Sequence, residues 1–193
     1  MVYWGRLGRA AVAFLGLAYS VQAHAQTTVP EGYIGTLNWY HQQAEAGNAR
    51  AQFLLAIKYE TGTDVGENLA RAADLFERSA RQGLADAQFK FATILETGRG
   101  RPADLAAAEV WYRAAALQAH SSAQFNLGVM LVNRARTEDE AAEAISWLLR
   151  ARRVGLAPAA KLMDELSGAH SEDVLKNAQI LSEVPLSTAA GAR

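Results

Sequence analysis

The sequence has no cysteine, only 4 prolines and almost no net charge. Without cysteine the chain has no disulfides, no thiolate metal or iron–sulfur sites, no cysteine nucleophile and no lipid-modified N-terminal cysteine. The 19 basic and 20 acidic residues leave a formal charge of −1, so we expect no polycationic surface for nucleic acid. Alanine is abundant instead, at about one residue in five, which favours helix because alanine loses no side-chain entropy there.

The first 25 residues have the pattern of a secretory signal peptide. Arg6 and Arg9 precede the apolar run Ala10–Val21, and the small-x-small triplet Ala23-His24-Ala25 follows it. The apolar run has about 12 residues, whereas a bilayer span needs about 20, so a cleaved signal is favoured over a membrane anchor. We therefore predict cleavage near Ala25-Gln26, no membrane span after cleavage, and a periplasmic or secreted location in a bacterium.

A repeat of 36 residues organises the rest of the chain. The triplet Ala-Gln-Phe begins at Ala51, Ala87 and Ala123, and one further step reaches Ala159. Other columns keep the same register: Gly47, Gly83, Ala119 and Gly155; Trp39, Leu75, Trp111 and Trp147; Tyr40, Phe76, Tyr112 and Leu148; Ala56, Ala92 and Gly128. Self-similarity at a fixed period indicates an architecture in which neighbouring copies bury a shared core.

Each period predicts two helices. In the first copy, Ala49–Glu60 places its apolar residues on one helical face, and Asn68–Gln82 forms the second helix after a loop. The predicted organisation is a signal peptide over 1–25, a flexible segment over 26–36, a repeat array over 37–166, a C-terminal capping helix over 167–184 and a disordered tail over 185–193. Within the array, a half repeat precedes the copies 49–84, 85–120 and 121–156, and a partial copy over 157–166 follows them.

The repeat resembles the Sel-1-like repeat, a relative of the tetratricopeptide repeat. The motif A-x-A-Q-F-x-L-A/G is followed by A-x-x-W-Y-R-x-A-A-x-x-G, and the best copy is Ala85–His120. The resemblance covers about 37–166 and implies an all-α fold, a right-handed α-solenoid of antiparallel helical hairpins with a concave face. The third copy departs from the motif at Arg134, where the first two copies have Gly62 and Gly98, so its tight turn is in doubt.

The resemblance also has functional implications. Family members act mostly as adaptors in signalling, envelope assembly, and polysaccharide or motility systems. A cysteine-rich subset that binds or slowly hydrolyses β-lactams staples each repeat with a disulfide, a feature that this cysteine-free chain lacks. The resemblance therefore implies a scaffold for protein interactions.

The sequence carries no recognisable catalytic or metal-binding motif. His41, His120 and His170 lack the spacing of paired metal ligands, so we interpret each as structural. The acidic cluster at 138–143 begins a predicted helix and complements its dipole. The loop Gly98–Arg101 follows a helix and lacks a phosphate-binding signature. We therefore predict a protein that is not an enzyme and that uses no metal and no cofactor.

The first helices of the copies are expected to line the concave face. Columns that differ between copies are candidates for partner contact, because packing does not dictate the residue there. The candidate residues are Leu54, Ile57, Glu60, Lys90, Thr93, Glu96, Asn126, Val129 and Asn133. Their mixture of apolar and amide groups suits a peptide or an amphipathic helix. The column Phe53, Phe89 and Phe125 is left open between core packing and ligand contact.

Three functions follow as hypotheses. The favoured one is a non-catalytic periplasmic or secreted scaffold that binds a protein or peptide partner. The alternative is a protein that binds cell-wall glycan or peptidoglycan fragments by stacking on Trp or Tyr, and a less favoured one is a hydrolase of β-lactamase-like type. The sequence leaves the identity of the partner, the pathway and the oligomeric state open.

Overall fold

The computed structural model describes residues 33–189, and within this range the chain is helical without a β-strand. The helices are α1 Tyr33–Glu45, α2 Ala49–Thr61, α3 Leu69–Arg81, α4 Ala85–Thr97, α5 Leu105–Leu117, α6 Ser121–Arg134, α7 Glu138–Arg153, α8 Ala157–Ser167, α9 Glu172–Glu183 and α10 Leu186–Ala189. The hairpins α2–α3, α4–α5 and α6–α7 pack against one another in chain order. The predicted all-α solenoid is confirmed.

Glycine ends the first helix in the first two repeats. Gly62 (φ 70°) and Gly98 (φ 73°) adopt the left-handed conformation, which favours glycine because it has no Cβ. In the third repeat Arg134 takes this place as the last residue of α6, and Ala135 after it has φ −56°. The tight left-handed turn is therefore absent from the third repeat.

Polar side chains fix the helix starts. Asn48, Asn68 and Asp104 each accept a hydrogen bond from the backbone N–H three residues further on, which satisfies one of the free donors of the first turn. Thr137 and Glu140 form a reciprocal capping box at the start of α7. Hydrogen bonds from two backbone N–H groups lower the pKa of Glu140, which serves the helix terminus as interpreted from the sequence, whereas Glu143 of the same cluster pairs with Arg113.

Columns of small residues let the two helices of a hairpin approach each other. Ala56 and Ala92 are completely buried. In the third repeat the same column holds Gly128, and a Cβ added there would lie only 2.7 Å from Cδ2 of Leu148 on α7. Helices α6 and α7 therefore meet at a point where even a methyl group does not fit without movement.

A ladder of buried glutamines links consecutive repeats. The glutamine of each Ala-Gln-Phe triplet donates from Nε2 to a carbonyl in the last turn of the preceding second helix. The bonds run from Gln52 to Ala44 at 3.0 Å, from Gln88 to Ala80 at 3.2 Å and from Gln124 to Ala116 at 3.2 Å. Gln82 and Gln118 then donate to Oε1 of Gln52 and Gln88, each at 2.7 Å. The ladder gives the three buried glutamine side chains the hydrogen-bond partners without which their burial would be costly.

The ends of the described chain differ from the sequence-based expectation. Helix α1 begins at Tyr33, so residues 33–36 of the predicted flexible segment are helical; Gly35 does not prevent this, because one glycine costs a helix only about 1 kcal/mol. In the predicted disordered tail, Leu186–Ala189 form α10, and Leu186 packs against the core. The predicted signal peptide, residues 26–32 and residues 190–193 lie outside the described range.

The helices of the described range are short or carry polar residues along their length. Over residues 33–189, none of them combines the length and the apolar character that a bilayer crossing requires.

Candidate functional site

The nine predicted contact residues lie on the first helices of three consecutive repeats. Helix α2 carries Leu54, Ile57 and Glu60, helix α4 carries Lys90, Thr93 and Glu96, and helix α6 carries Asn126, Val129 and Asn133. Glu96 and Asn133 are exposed, and the other seven are half-buried. We refer to the surface formed by these residues as the first-helix face.

A recess of about 160 Å³ lies along α4, where α3 packs against it and where α2 and α6 each contribute one residue. Four of the predicted residues line it: Glu60, Lys90, Thr93 and Asn126. The lining is completed by Leu69, Ala72, Phe89, Ile94, Thr97 and Arg99. The recess therefore has an apolar floor, formed by Leu69, Ala72, Phe89 and Ile94, and six polar or charged residues complete its lining.

The other five predicted residues do not line this recess. Ile57 packs against the main hydrophobic cluster, and Val129 packs against a second cluster between α7, α8 and α9. Leu54 is half-buried on α2, and Asn133 is exposed near the end of α6. Glu96 lies beside the recess, where its carboxylate accepts a hydrogen bond from Tyr112.

An ion pair crosses the recess between the first two repeats. Lys90 Nζ lies 2.9 Å from Glu60 Oε2, and it also lies 5.9 Å from the centre of the Phe76 ring. Both members of the ion pair are partly exposed, so the pair contributes little to stability. Its consequence is electrostatic: the Lys90 cation and the Glu60 anion neutralise each other within the face, and Arg99 adds a positive charge to the lining of the recess.

A buried tyrosine organises the polar groups between the second and third repeats. The Tyr112 hydroxyl donates to Glu96 Oε2 at 2.6 Å, accepts from Asn126 Nδ2 at 3.0 Å and lies 3.1 Å from Thr93 Oγ1. Burial, together with the bond to the Glu96 carboxylate, raises the pKa of Tyr112 to about 12. Three predicted contact residues from two repeats are thus held by one hydroxyl.

Sequence reasoning placed Tyr112 in a packing column and missed this role. The column reads Tyr40, Phe76, Tyr112 and Leu148, so the hydroxyl is present in the second complete repeat but not in the first or third. That difference within an otherwise hydrophobic column was the available signal. Arg99, which lines the recess from the loop after α4, was also missed.

The phenylalanine column belongs mainly to the packing. Phe53 packs edge-on against Phe76 with ring centres 5.7 Å apart, and Phe89 stacks on His120 at 4.7 Å. Phe125 packs against the second hydrophobic cluster. All three rings are half-buried, and Phe89 also lines the recess. Phe53 and Phe125 therefore contribute to packing, and Phe89 contributes both to packing and to the recess.

The histidines have structural surroundings. His120 caps α6 by accepting the Ala123 N–H at its Nδ1 (3.2 Å), and its Nε2 lies 3.4 Å from Asp86 Oδ1. The His41 ring packs edge-on against Tyr59 with centres 6.1 Å apart. His170 lines a separate cavity of about 260 Å³ near the start of α7. Over residues 33–189, no cluster of three or more His, Asp or Glu side chains is arranged to hold a metal ion.

The recess combines hydrogen-bonding groups with an apolar floor. The amide of Asn126, the ammonium of Lys90 and the hydroxyls of Thr93 and Thr97 surround Phe89 and its apolar neighbours. Such a surface binds by accommodating an apolar side chain and by hydrogen bonding to the polar groups beside it.

Comparison with solved structures places this architecture among known proteins. A Sel1 repeat protein from Oxalobacter formigenes is 26% identical with a TM-score of 0.63, over 69% of this chain and 54% of that one. The antigen c5321, present in uropathogenic Escherichia coli strains and displaying an SLR fold, is 23% identical with a TM-score of 0.55, over 77% of this chain and 40% of that one. The chain thus spans about half the length of these proteins or less.

The sequence comparisons agree with the fold. No significant match is found among curated proteins. The family model for the Sel1 repeat matches residues 49–84, 85–120 and 121–155, which are three consecutive copies and more than half of the chain. The protein therefore belongs to the Sel1 repeat family.

Proposed function

We propose that the protein is a non-catalytic scaffold that binds a peptide segment of a partner protein on its first-helix face. The observation that carries this proposal is the recess along α4, which joins an apolar floor to polar groups from three repeats. A peptide that crosses the repeats can place an apolar side chain in the recess while its backbone meets Lys90 and Asn126. Sel1 repeat proteins are generally protein-interaction scaffolds, which supports the proposal.

The exposure of the aromatic side chains favours a peptide over a glycan as the ligand. Sugar rings bind by stacking on open aromatic faces. Over residues 35–187, each aromatic side chain is buried or half-buried, and Trp111 packs edge-on against Phe91 with ring centres 5.5 Å apart. The large apolar side chains that are exposed in this range are aliphatic.

A library of displayed random peptides tests the binding proposal. We expect the full chain to select peptides that share an apolar anchor residue and that bind saturably in solution. Lys90→Glu reverses a charge at the recess and should weaken these peptides at least tenfold. Lys161→Glu makes the same charge change at an exposed position on α8 and should leave their affinity unchanged. Failure to select any saturable peptide, or equal effects of the two variants, overturns the proposal.

We also propose that this scaffold works in the periplasm or outside the cell. The support is the signal-like pattern of residues 1–25, with two arginines, a short apolar run and the Ala23-His24-Ala25 triplet. Expression of the full chain with a C-terminal tag in a bacterium should give a processed protein in the periplasmic or culture fraction. Mass spectrometry should show that its N-terminus is Gln26; an unprocessed chain in the cytoplasm contradicts the proposed location.

A further inference from the structure

The second helices differ at one set of repeated positions, where α5 is apolar, α3 is charged, and α7 carries three charged residues and the buried Ser146. Four positions repeated at 36-residue intervals show the contrast. In the order α3, α5, α7 they are Arg71, Ala107 and Glu143; Asp74, Val110 and Ser146; Arg78, Ala114 and Arg150; Arg81, Leu117 and Arg153. The four residues of α3 are all exposed. On α5, Val110 is 65% exposed, whereas Ala107, Ala114 and Leu117 are half-buried.

Two of these positions on α7 hold the end of α9. Arg150 donates from Nη2 to the backbone carbonyls of Leu181 and Val184, each at 2.7 Å. Arg153 donates to the carbonyl and the hydroxyl of Ser182 at 3.3 and 3.1 Å. Helix α9 packs along α7, and its last turn is fixed by arginines at positions where α5 has alanine and leucine.

The chain then continues from the third repeat to the second. After Val184 and Pro185, helix α10 contacts α5. Leu186 is half-buried and packs against the main hydrophobic cluster, whereas its neighbour Ser187 is exposed. A segment that is anchored by arginines on α7 therefore reaches the one second helix of the three complete repeats whose residues at the four repeated positions are apolar.

We propose that the C-terminal part of α5, at Ala114 and Leu117, is a docking surface for the chain's own C-terminal segment, residues 184–189, while Val110, one turn earlier, stays exposed beside it. The segment acts as an intramolecular strap that ties the second repeat to the end of the array. Such a strap accounts for the apolar residues at the four repeated positions of α5. It also accounts for the helical turn at Leu186 in a tail whose sequence favours disorder. Burial of Leu186 supplies the driving force, and the two arginines set the direction of the chain.

Hydrogen–deuterium exchange on the full chain tests the strap. Leu186→Asp places a carboxylate against an apolar surface, so it should release the strap and raise amide exchange in α5 several-fold. Exchange in α3, which the strap does not reach, should stay as in the unmodified protein. Ser187→Asp introduces the same charge at an exposed neighbour and should change neither helix. Equal α5 exchange in the two variants overturns the proposal.

A spin label gives an independent measurement, because the chain has no cysteine and a single introduced one is labelled uniquely. A label on Ser187→Cys should be motionally restricted in the otherwise unmodified protein and should become freely mobile when Leu186→Asp is added. A label that is already freely mobile without Leu186→Asp shows that the segment is not docked, and the strap is then refuted.

Discussion

At the scale of single residues, the glutamine of the Ala-Gln-Phe triplet is a structural link between repeats. Gln88 is buried, donates to the Ala80 carbonyl in the preceding second helix and accepts from Gln118 in its own. One side chain therefore satisfies polar groups on both neighbouring second helices. The sequence displayed the triplet three times, but its period alone does not distinguish a polar residue that packs inside from one that faces solvent.

Replacement of Gln88 by alanine tests this role. Gln88→Ala removes one hydrogen bond to the Ala80 carbonyl, which keeps the Gly83 N–H, and one from the exposed Gln118 amide, so we expect the free energy of unfolding to fall by about 1–2 kcal/mol. Urea unfolding followed by circular dichroism measures the change. Gln179→Ala removes an exposed glutamine from α9 and should change stability by less than about 0.5 kcal/mol. Similar small effects of both substitutions contradict the ladder as a stabilising element.

The hydroxyl of Tyr112 predicts a dependence of stability on alkaline pH. Its pKa is raised to about 12 in the folded protein, whereas an unfolded tyrosine titrates near 10, so the folded state favours the protonated form. The resulting stability is present below about pH 10 and is lost as the pH rises through 12, by about 3 kcal/mol in total.

Tyr112→Phe removes the titrating group and keeps a ring of the kind found at Phe76 in the same column. The difference in unfolding free energy between the unmodified protein and Tyr112→Phe should therefore shrink between pH 10 and pH 12. Denaturant unfolding at several pH values measures it. A difference that stays constant across this window shows that the hydroxyl does not favour its protonated form in the folded protein.

At the scale of helices, local sequence rules predicted most boundaries. The sequence predicted a C-terminal capping helix within 167–184, and the structure has α9 over Glu172–Glu183 with Ser171 as its N-cap. The predictions differ from the structure at the two ends of the described range, where α1 begins earlier than expected and α10 was not expected. Helix α10 has four residues, too few to be stable alone, and it exists because Leu186 packs on the core. Such tertiary support is invisible to periodicity and capping.

The close contact between α6 and α7 predicts that alanine at Gly128 lowers the stability, the opposite of its usual effect in a helix. In an open helix, alanine is more stable than glycine by about 1 kcal/mol. Gly128→Ala should instead lower stability, by about 1–3 kcal/mol, because the added Cβ would lie 2.7 Å from Leu148 Cδ2 and from Cγ. Gly66→Ala is the control, since no heavy atom lies within 4 Å of its added Cβ. A more stable Gly128→Ala protein in thermal unfolding contradicts the close packing.

At the scale of the whole molecule, the repeat period predicted which helices carry the first-helix face, but it did not predict which of its residues pack inside and which line the recess. Columns identified the helices, so the nine candidate residues do share α2, α4 and α6. The columns could not show that Ile57 and Val129 also pack against hydrophobic clusters, or that Glu60, Lys90, Thr93 and Asn126 surround one recess. Those outcomes depend on how consecutive repeats are rotated relative to each other, which no single period encodes.

Because each repeat contacts only its neighbours, the same substitution should destabilise different sets of helices when it is made in different repeats. Ala87 near the start of α4 and Ala159 in α8 are equivalent positions two periods apart, and both are completely buried. Leucine at either site overpacks its surroundings and should cost about 1–3 kcal/mol locally. Ala87→Leu should raise hydrogen exchange in α3 and in α5, because repeats lie on both sides of it. Ala159→Leu should raise exchange in α7, α8 and α9 and leave α2–α5 protected. If the two variants instead loosen the whole array equally, the molecule unfolds as one unit and its repeats are not coupled only to their neighbours.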